Sequence, residues 1–365
     1  MRHHTLIATA ALSAATAAFA GVIVIDGTAE ALYGTAKEVQ TIQTQFGDAT
    51  LGQTGYCNGS ELDGAYAVVE DGFLYLTIAG NFESNYNSLE LFIDCKAGGQ
   101  NRLRGDNADV DFNGLNRMGD NGTGNGLTFD TGFEADYYIS FRCGVGTIGG
   151  LPALVQYMNY ADLPTLGLGT GGFAGPGNGP TIPVVAANGI EFTVNNINVA
   201  GVTSGPGGAS SGAGVVTGAE FKIPLSLIGY VSGDLRVCAF INGGGHGFIS
   251  NQVLGGCPVD TQNLGEPRAV NFSTILDEQF IVVVGGGTPP DNCPTDLTDD
   301  GFVDGNDLGI LLSQWGGPGT RLVARIGNDD RLREGEAAHV TVDVGAAHLF
   351  APGDAGMRVR DSGDR

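Results

Sequence analysis

Phe73-Leu-Tyr-Leu-Thr-Ile-Ala79 and Leu89-Glu-Leu-Phe-Ile-Asp94 are two short apolar runs separated by the turn-rich segment 80–87. Both are rich in β-branched and aromatic residues and are bounded by Gly and Asn, which favours strands over helices. Six further runs share this character: Tyr137–Phe141, Ala153–Tyr157, Ile190–Val194, Glu220–Leu225, Leu235–Ile241 and Phe280–Val284. The sequence therefore predicts a mainly β fold, as a jelly roll or β-sandwich, with a closed barrel as the competing architecture.

Composition narrows the class of protein. The 365 residues include 40 acidic and 17 basic side chains, a net charge of −23, which argues against nucleic-acid binding because that requires clustered Lys and Arg. The 62 glycines indicate many turns. Two glycine-rich segments, 167–179 and 201–214, carry few apolar side chains, and we expect both to be long, mobile loops.

The N-terminus has the pattern of an export signal. Arg2 precedes an apolar stretch from Thr5 to Ala18, and Ala18-Phe19-Ala20 is a small-x-small cleavage site. The stretch is shorter than the ~20 apolar residues that a membrane span needs, and no later segment reaches that length. The sequence predicts a signal peptide over residues 1–20, a secreted or cell-surface location and no membrane span. The β domain would occupy residues 21–284, followed by a Gly/Pro linker over 285–292.

The six cysteines lie far apart without CxxC spacing, which argues against zinc and thioredoxin-type chemistry. Export would allow disulfides to form. Cys238 with Cys257 is one pairing among those that six cysteines permit.

An acidic segment after the linker has the spacing of an EF-hand-type calcium loop. Gly301 would permit the central turn, and apolar residues from Leu308 to Trp315 follow at helical spacing. The alternative is an acidic, solvated turn. The predicted Ca²⁺ ligands are side-chain oxygens of five residues and one backbone carbonyl: Asp296, Thr298, Asp300, Phe302 (carbonyl), Asp304 and Asp307.

Residues 293–317 resemble one dockerin repeat, in which such a loop is followed at once by an LxxLL helix. The resemblance implies an extracellular calcium-binding module, whose partner in that family is a cohesin-like protein. Dockerins carry two repeats, and this chain has one. A single loop and helix cannot bury its own apolar face.

The atypical tail, residues 318–365, differs from the rest of the chain. Seven of the 17 basic residues fall in the last 45 positions. Leu332-Arg-Glu-Gly-Glu336 and His348-Leu-Phe350, within residues 320–355, resemble the C-terminal end of a sugar-importer ABC ATPase. No GxxxxGK[ST] phosphate loop precedes them, so ATPase activity is not implied. A gene fusion and a sequence-assembly artefact both explain the tail.

A second segment also fits calcium-loop spacing, with Asp109, Asp111, Asn113 and Asp120 as candidate ligands. Arg117 would place a cation at the ninth position, which disfavours Ca²⁺, and the alternative is an Asn/Asp-rich turn. The GxGxxG string at 144–149 lacks a surrounding βαβ unit, which favours a glycine turn between strands over a dinucleotide site.

Aromatic residues in or beside predicted loops are candidates for stacking on sugar rings: Tyr56, Phe82, Tyr86, Tyr157 and Tyr160. Asn85, Asn87 and Asp94 could supply hydrogen bonds. The alternative is that these side chains cover the sandwich rim. His246 lies in a glycine-rich turn, and a lone histidine there is more often a structural turn residue than a catalytic base. No GxSxG nucleophile elbow is present in the sequence.

Segments such as Ser60–Tyr66, Leu89–Asp94 and Glu220–Leu225 are similar to secreted β-sandwiches of the family 9 carbohydrate-binding and DOMON-like type. That resemblance implies a β-sandwich fold, and domains of this type bind sugars, haem or other ligands. We expect a secreted, non-catalytic binding protein that attaches to polysaccharide or cell-surface glycan and carries a calcium-binding module. The alternatives are a structural envelope protein without sugar recognition and a secreted polysaccharide hydrolase.

Overall fold

The computed structural model describes residues 22–180 and 182–285. The predicted signal peptide, calcium repeat and tail lie outside these residues, as does the linker beyond residue 285. The strands are β1 (Glu38–Val39), β2 (Glu61–Glu70), β3 (Phe73–Asn81), β4 (Asn85–Asp94), β5 (Tyr137–Ile148), β6 (Leu151–Asp162), β7 (Gly171–Asn178), β8 (Val184–Val185), β9 (Glu191–Val194), β10 (Gly218–Pro224), β11 (Leu235–Asn242), β12 (Ile249–Leu254) and β13 (Ile281–Val283). Helices α1 (Gly114–Met118) and α2 (Leu225–Ile228) are short, and 3-10 turns span Ala31–Tyr33, Pro267–Ala269 and Phe272–Thr274.

The strands form two antiparallel sheets. One has the order β1-β2-β3-β10-β9-β8, and the other has the order β12-β11-β4-β5-β6-β7, with β13 also paired to β11. The mainly β prediction is confirmed, and the two separate sheets form a sandwich rather than the competing closed barrel. All eight predicted runs contribute to strands, because each carries its own local β pattern.

The main core lies between the sheets and follows the two-residue period of the strands. Leu89, Leu91 and Ile93 of β4 face this core together with Leu76 of β3 and Phe221 of β10. The intervening Glu90 and Phe92 point to the opposite face of the sheet. One face of β4 therefore packs in the main core, and the other lies on the outer side of the sheet.

A second apolar layer covers the outer face of the larger sheet. Phe92 packs against Phe129 and Phe240, with ring centroids 4.8 and 6.0 Å away, and Leu103 and Leu115 belong to the same cluster. The connection between β4 and β5, which includes α1, supplies much of this layer. This cover explains why β4 is buried on both faces along most of its length.

The prediction of a mobile loop over 167–179 is wrong for Gly171–Asn178, which form edge strand β7 beside β6. Main-chain hydrogen bonds hold this strand, and its glycines allow a close approach: a Cβ on Gly172 would lie 2.4 Å from Oη of Tyr160. Segment 201–214 contains no strand, as expected. It is anchored at Val202, whose buried N–H donates to Oδ1 of Asp63 at 2.7 Å.

The cysteine pairing predicted from the sequence is not formed. Cys238 and Cys257 are both free, buried thiols in the outer apolar layer. Cys95 and Cys143 are free thiols in the main core, and Cys57 is also free and buried, so all five cysteines in the described part of the chain are unpaired. Their burial among apolar side chains makes them packing residues. Within residues 22–180 and 182–285, no helix has the length and apolarity to cross a lipid bilayer.

Candidate ligand-binding site

Four titratable or charged side chains meet on the outer face of the larger sheet: Glu90, Asp111, Arg142 and His246. The imidazole of His246 bridges the two carboxylates, with Nδ1 2.7 Å from Oε1 of Glu90 and Nε2 3.0 Å from Oδ2 of Asp111. Nε of Arg142 lies 2.8 Å from the same Asp111 oxygen, and Nη2 of Arg142 contacts Nε2 of His246. We call these four residues the charge network.

Strand register brings two members of the network together. Glu90 lies opposite Ser140 on β5, and Arg142 follows two residues later on the same face. Tyr138, on the same face of β5, donates its hydroxyl to Oε2 of Glu90 at 2.7 Å. Ser140 donates its hydroxyl to Oδ2 of Asp111 at 2.7 Å. The outer face of β5 therefore holds both carboxylates of the network.

The other two members of the network, His246 and Asp111, lie in turns. His246 lies in the turn between β11 and β12 and has a φ of +54°. Asp111, Phe112 and Asn113 have φ values of +52°, +55° and +66°, three consecutive non-glycine residues in the left-handed region. Each such residue costs free energy that the surrounding contacts must offset, and this pattern is typical of functional sites. The side chain of Phe112 is fully exposed at this position.

Glycine makes room for the histidine at the start of α1. A Cβ on Gly114 would lie 2.0 Å from Cδ2 of His246, so the imidazole packs directly against the helix backbone. This close approach holds the ring between Glu90 and Asp111.

The network fixes two protonation states. Burial alone would lower the pKa of His246, but the charge of Glu90 and the hydrogen bonds and charge of Asp111 outweigh it and raise the pKa to about 9. Burial would raise the pKa of Asp111, but His246 and Arg142 together hold it below its ordinary value. His246 is therefore a cation and Asp111 an anion at neutral pH.

Two cavities adjoin the network and share Asp111, Phe112 and Arg142 as walls. The polar cavity, of about 450 Å³, is also lined by His246, Arg117 and Arg268, among others. The aromatic cavity, of about 480 Å³, is lined by Asn159 and three aromatic rings in addition. The two cavities therefore lie next to each other, with these three residues as common walls.

The three rings form a row across the strands of the larger sheet. Tyr86 of β4 and Tyr157 of β6 have ring centroids 6.0 Å apart, and Phe173 of β7 lies 5.8 Å beyond Tyr157. Phe173 is 55 % exposed, and Tyr86 and Tyr157 are half-buried. We call Tyr86, Tyr157 and Phe173 the aromatic row.

Local backbone features position Tyr86. It has a φ of +65° and lies where the β4–β5 register shifts, between Asn85 and Ser88. Such an irregularity re-aims a side chain relative to a regular strand. The ring lies over the backbone of β5, where a Cβ on Gly144 would be 2.2 Å from Cζ of Tyr86. Residues 144–148 of the glycine string thus lie in strand β5, and the predicted turn between two strands is confined to Gly149 and Gly150, before antiparallel β6.

The aromatic residues predicted from the sequence divide between site and scaffold. The structure brings Tyr86 and Tyr157 together in the site. Phe82 is buried in the main core, Tyr160 lines a separate cavity with Lys96, and Tyr56 is exposed and lines neither cavity of the site.

The predicted polar partners Asn85, Asn87 and Asp94 do not line the two cavities either. Asp94 is instead paired with Arg236 at 3.1 Å. Sequence reasoning missed Phe112, Arg142 and Phe173. Phe173 could have been recognised as a candidate because it is an aromatic residue within a glycine-rich segment.

In the second predicted calcium loop, three of the four candidate ligands each have a side-chain oxygen engaged within the protein. Oδ2 of Asp111 belongs to the charge network, and Oδ1 of Asp120 accepts backbone N–H groups of residues 122, 123 and 124 at 2.8–3.1 Å. Oδ1 of Asn113 accepts from the side-chain amide of Asn116, and Asp109 is exposed. No group of three or more His, Cys, Asp or Glu residues suited to a metal occurs in the described ranges. Calcium binding here stays a prediction, and the loop at 296–307 lies outside the described residues.

The chain matches no family model, no curated protein and no solved structure. The dockerin-like, carbohydrate-binding and ABC ATPase resemblances therefore stay predictions from the sequence.

Proposed function

We propose that this chain is a secreted, non-catalytic glycan-binding protein whose β-sandwich holds the sugar at the aromatic row. The observation that carries the proposal is the row itself, three rings on one sheet face beside a depression with polar walls. Sugar rings have apolar faces that pack on aromatic side chains and hydroxyls that need hydrogen-bond partners. Asn159 and Arg142 supply such partners in the same cavity.

The state of the charge network favours binding over hydrolysis. Asp111 is the carboxylate shared by both cavities, and one of its oxygens already faces Ser140, Arg142 and His246. Glycoside hydrolysis needs two carboxyl groups free to exchange protons or attack the sugar. A carboxylate held by two cations and a hydroxyl is better suited to fixing the cavity wall.

The fold supplies a rigid support for the rings. Tyr157 and Phe173 lie on neighbouring strands held by main-chain hydrogen bonds, with Asn159 opposite Phe173 in register. Side chains fixed by a sheet lose little conformational freedom on binding, which favours affinity. The export signal predicted at residues 1–20 and the calcium repeat predicted at 293–317 extend the proposal to an extracellular attachment protein, with calcium ordering the C-terminal module.

Affinity electrophoresis of the full chain through gels containing soluble polysaccharides tests the proposal. We expect at least one polysaccharide to retard the wild type, and Tyr157→Ala to weaken the retardation about tenfold or more. Tyr56→Ala is the matched control, since it removes an exposed tyrosine outside the site. Failure of every glycan on an array to bind would favour the structural envelope alternative, and unchanged retardation of Tyr157→Ala would exclude the aromatic row as the site.

A further inference from the structure

We infer that the sugar bound at this site is acidic, a hexuronate whose carboxylate lies in the polar cavity while its ring packs on the aromatic row. This inference rests on the proposed function and names its ligand class.

Positive charge is scarce in the described part of the chain and is concentrated at the site. Residues 22–180 and 182–285 contain 26 acidic side chains and nine Lys and Arg. Three of those nine, Arg117, Arg142 and Arg268, line the polar cavity together with the protonated His246. Only Asp111 and Asp120 contribute carboxylates to the same lining. The lining therefore has more cationic than anionic side chains, in contrast to the acidic domain around it, and this balance favours an anion.

Arg142 and His246 share the carboxylate of Asp111, which lines the cavity, whereas the other two acidic partners of these cations do not line it. Glu90 is fully buried behind His246, and Glu266, which pairs with Arg117, does not line the cavity. Arg268 directs Nε to the carbonyl of Gly119 at 2.7 Å and Nη2 to that of Asn116 at 3.1 Å, so its positive charge faces backbone dipoles. The cavity wall thus carries more positive charge than the domain around it.

Arg142 links the charged half of the site to the aromatic half. Its side chain is 11 % exposed and lines both cavities, and its residue lies opposite Tyr157 in the β5–β6 register. Nε of Arg142 faces Asp111 and Nη2 contacts His246, so Nη1 is the nitrogen left to donate a charge-assisted hydrogen bond to a carboxylate. A sugar ring on Tyr157 that carries a ring carboxylate would place that group toward Arg142 and the polar cavity.

A matched pair of ligands tests the inference without altering the protein. We titrate the full chain, in EDTA so that no calcium bridge contributes, with polygalacturonate and with the same polymer after reduction of its carboxyl groups to alcohols. We expect the acidic form to bind at least about tenfold more tightly, with an affinity that falls as salt is added. Equal affinities would overturn the acidic-sugar inference and leave the glycan-binding proposal standing. If uronate and neutral polysaccharides all fail to bind, the proposed function itself falls.

One variant locates the anion. Arg117→Gln removes a rim cation that is 35 % exposed, so the fold should tolerate the change. We expect this variant to lose several-fold affinity for polygalacturonate and none for the carboxyl-reduced polymer. Arg236→Gln is the matched control, because it removes an arginine that lines neither cavity. Equal losses in both variants would show that net charge, rather than the polar cavity, governs binding, and would overturn the inference.

Discussion

Nδ1 of His246 lies 2.7 Å from Oε1 of Glu90, and both side chains are buried, at 2 % and 0 % exposure. Oε1 of Glu90 also faces Nδ2 of Asn242 at 3.2 Å, while Oε2 accepts the Tyr138 hydroxyl. His246 lines the polar cavity and Glu90 is buried behind it, so the charge of the imidazole contributes both to the stability of the fold and to the wall of the site.

The raised pKa of His246 predicts a specific pH dependence of stability. The folded pKa of about 9 exceeds the ordinary value of 6.5, so the imidazolium stabilises the fold fully below pH 6.5. That stabilisation declines as pH rises from 6.5 and is lost above 9. Wild type should therefore be more stable than His246→Gln at low pH. We expect the difference between their free energies of unfolding to decrease by up to about 3 kcal/mol as pH rises through this window.

Urea unfolding of wild type and His246→Gln at pH 6, 7.5 and 9.5 measures this difference. Burial also raises the pKa of Asp63 and of Glu220 to about 7 and that of Glu61 to about 9. These groups titrate in both proteins and cancel when the two are compared. A difference that stays constant across the window would contradict the assignment of a charged imidazole.

Gly144→Ala should impair ligand binding with little effect on stability. The new Cβ would lie 2.2 Å from the ring of Tyr86, a half-buried side chain that can swing outward and leave the row. We expect about tenfold weaker polysaccharide binding and a Tm within a few degrees of wild type. Gly55→Ala, where a Cβ meets open space, is the control. Normal affinity in Gly144→Ala would remove Tyr86 from the site.

The five described cysteines should resist modification in the folded protein. Burial raises the pKa of Cys57 to about 11 and of Cys95 and Cys257 to about 12, which removes the reactive thiolate at pH 8. We expect alkylation followed by peptide mass spectrometry to find all five unmodified in native protein and all five modified in urea. Recovery of a Cys238–Cys257 cross-linked peptide would instead support the sequence-based pairing.

The sequence predicted the scaffold because strand patterns are local. Each run such as Leu89–Asp94 carries its own alternation and β-branched content, so it could be recognised without its neighbours. The sequence did not predict strand β7 at Gly171–Asn178, because main-chain pairing with β6 forms that strand and its side chains show no β pattern.

The site depends on tertiary structure and was predicted only in part. Tyr86 and Tyr157 were candidates because aromatics flanking turns are recognisable. Glu90 and His246 are 156 positions apart, and only strand register and a left-handed turn bring them together. The raised pKa of His246 arises from that meeting, so no local pattern could reveal it.

The sequence of the acidic loop at 296–307 predicts a calcium site. Asp296 holds the first position of the loop, and Trp315, the one tryptophan of the chain, follows it on the predicted helix. Calcium should close the loop and order that helix, so titration of the full chain with Ca²⁺ should change Trp315 fluorescence. Asp296→Ala should abolish the change, and Asp109→Ala, which alters the other predicted loop at an exposed residue, should leave it intact. A wild-type response in Asp296→Ala would place calcium binding elsewhere, and calorimetric loss of a bound ion in Asp109→Ala would assign it to the loop beside the charge network.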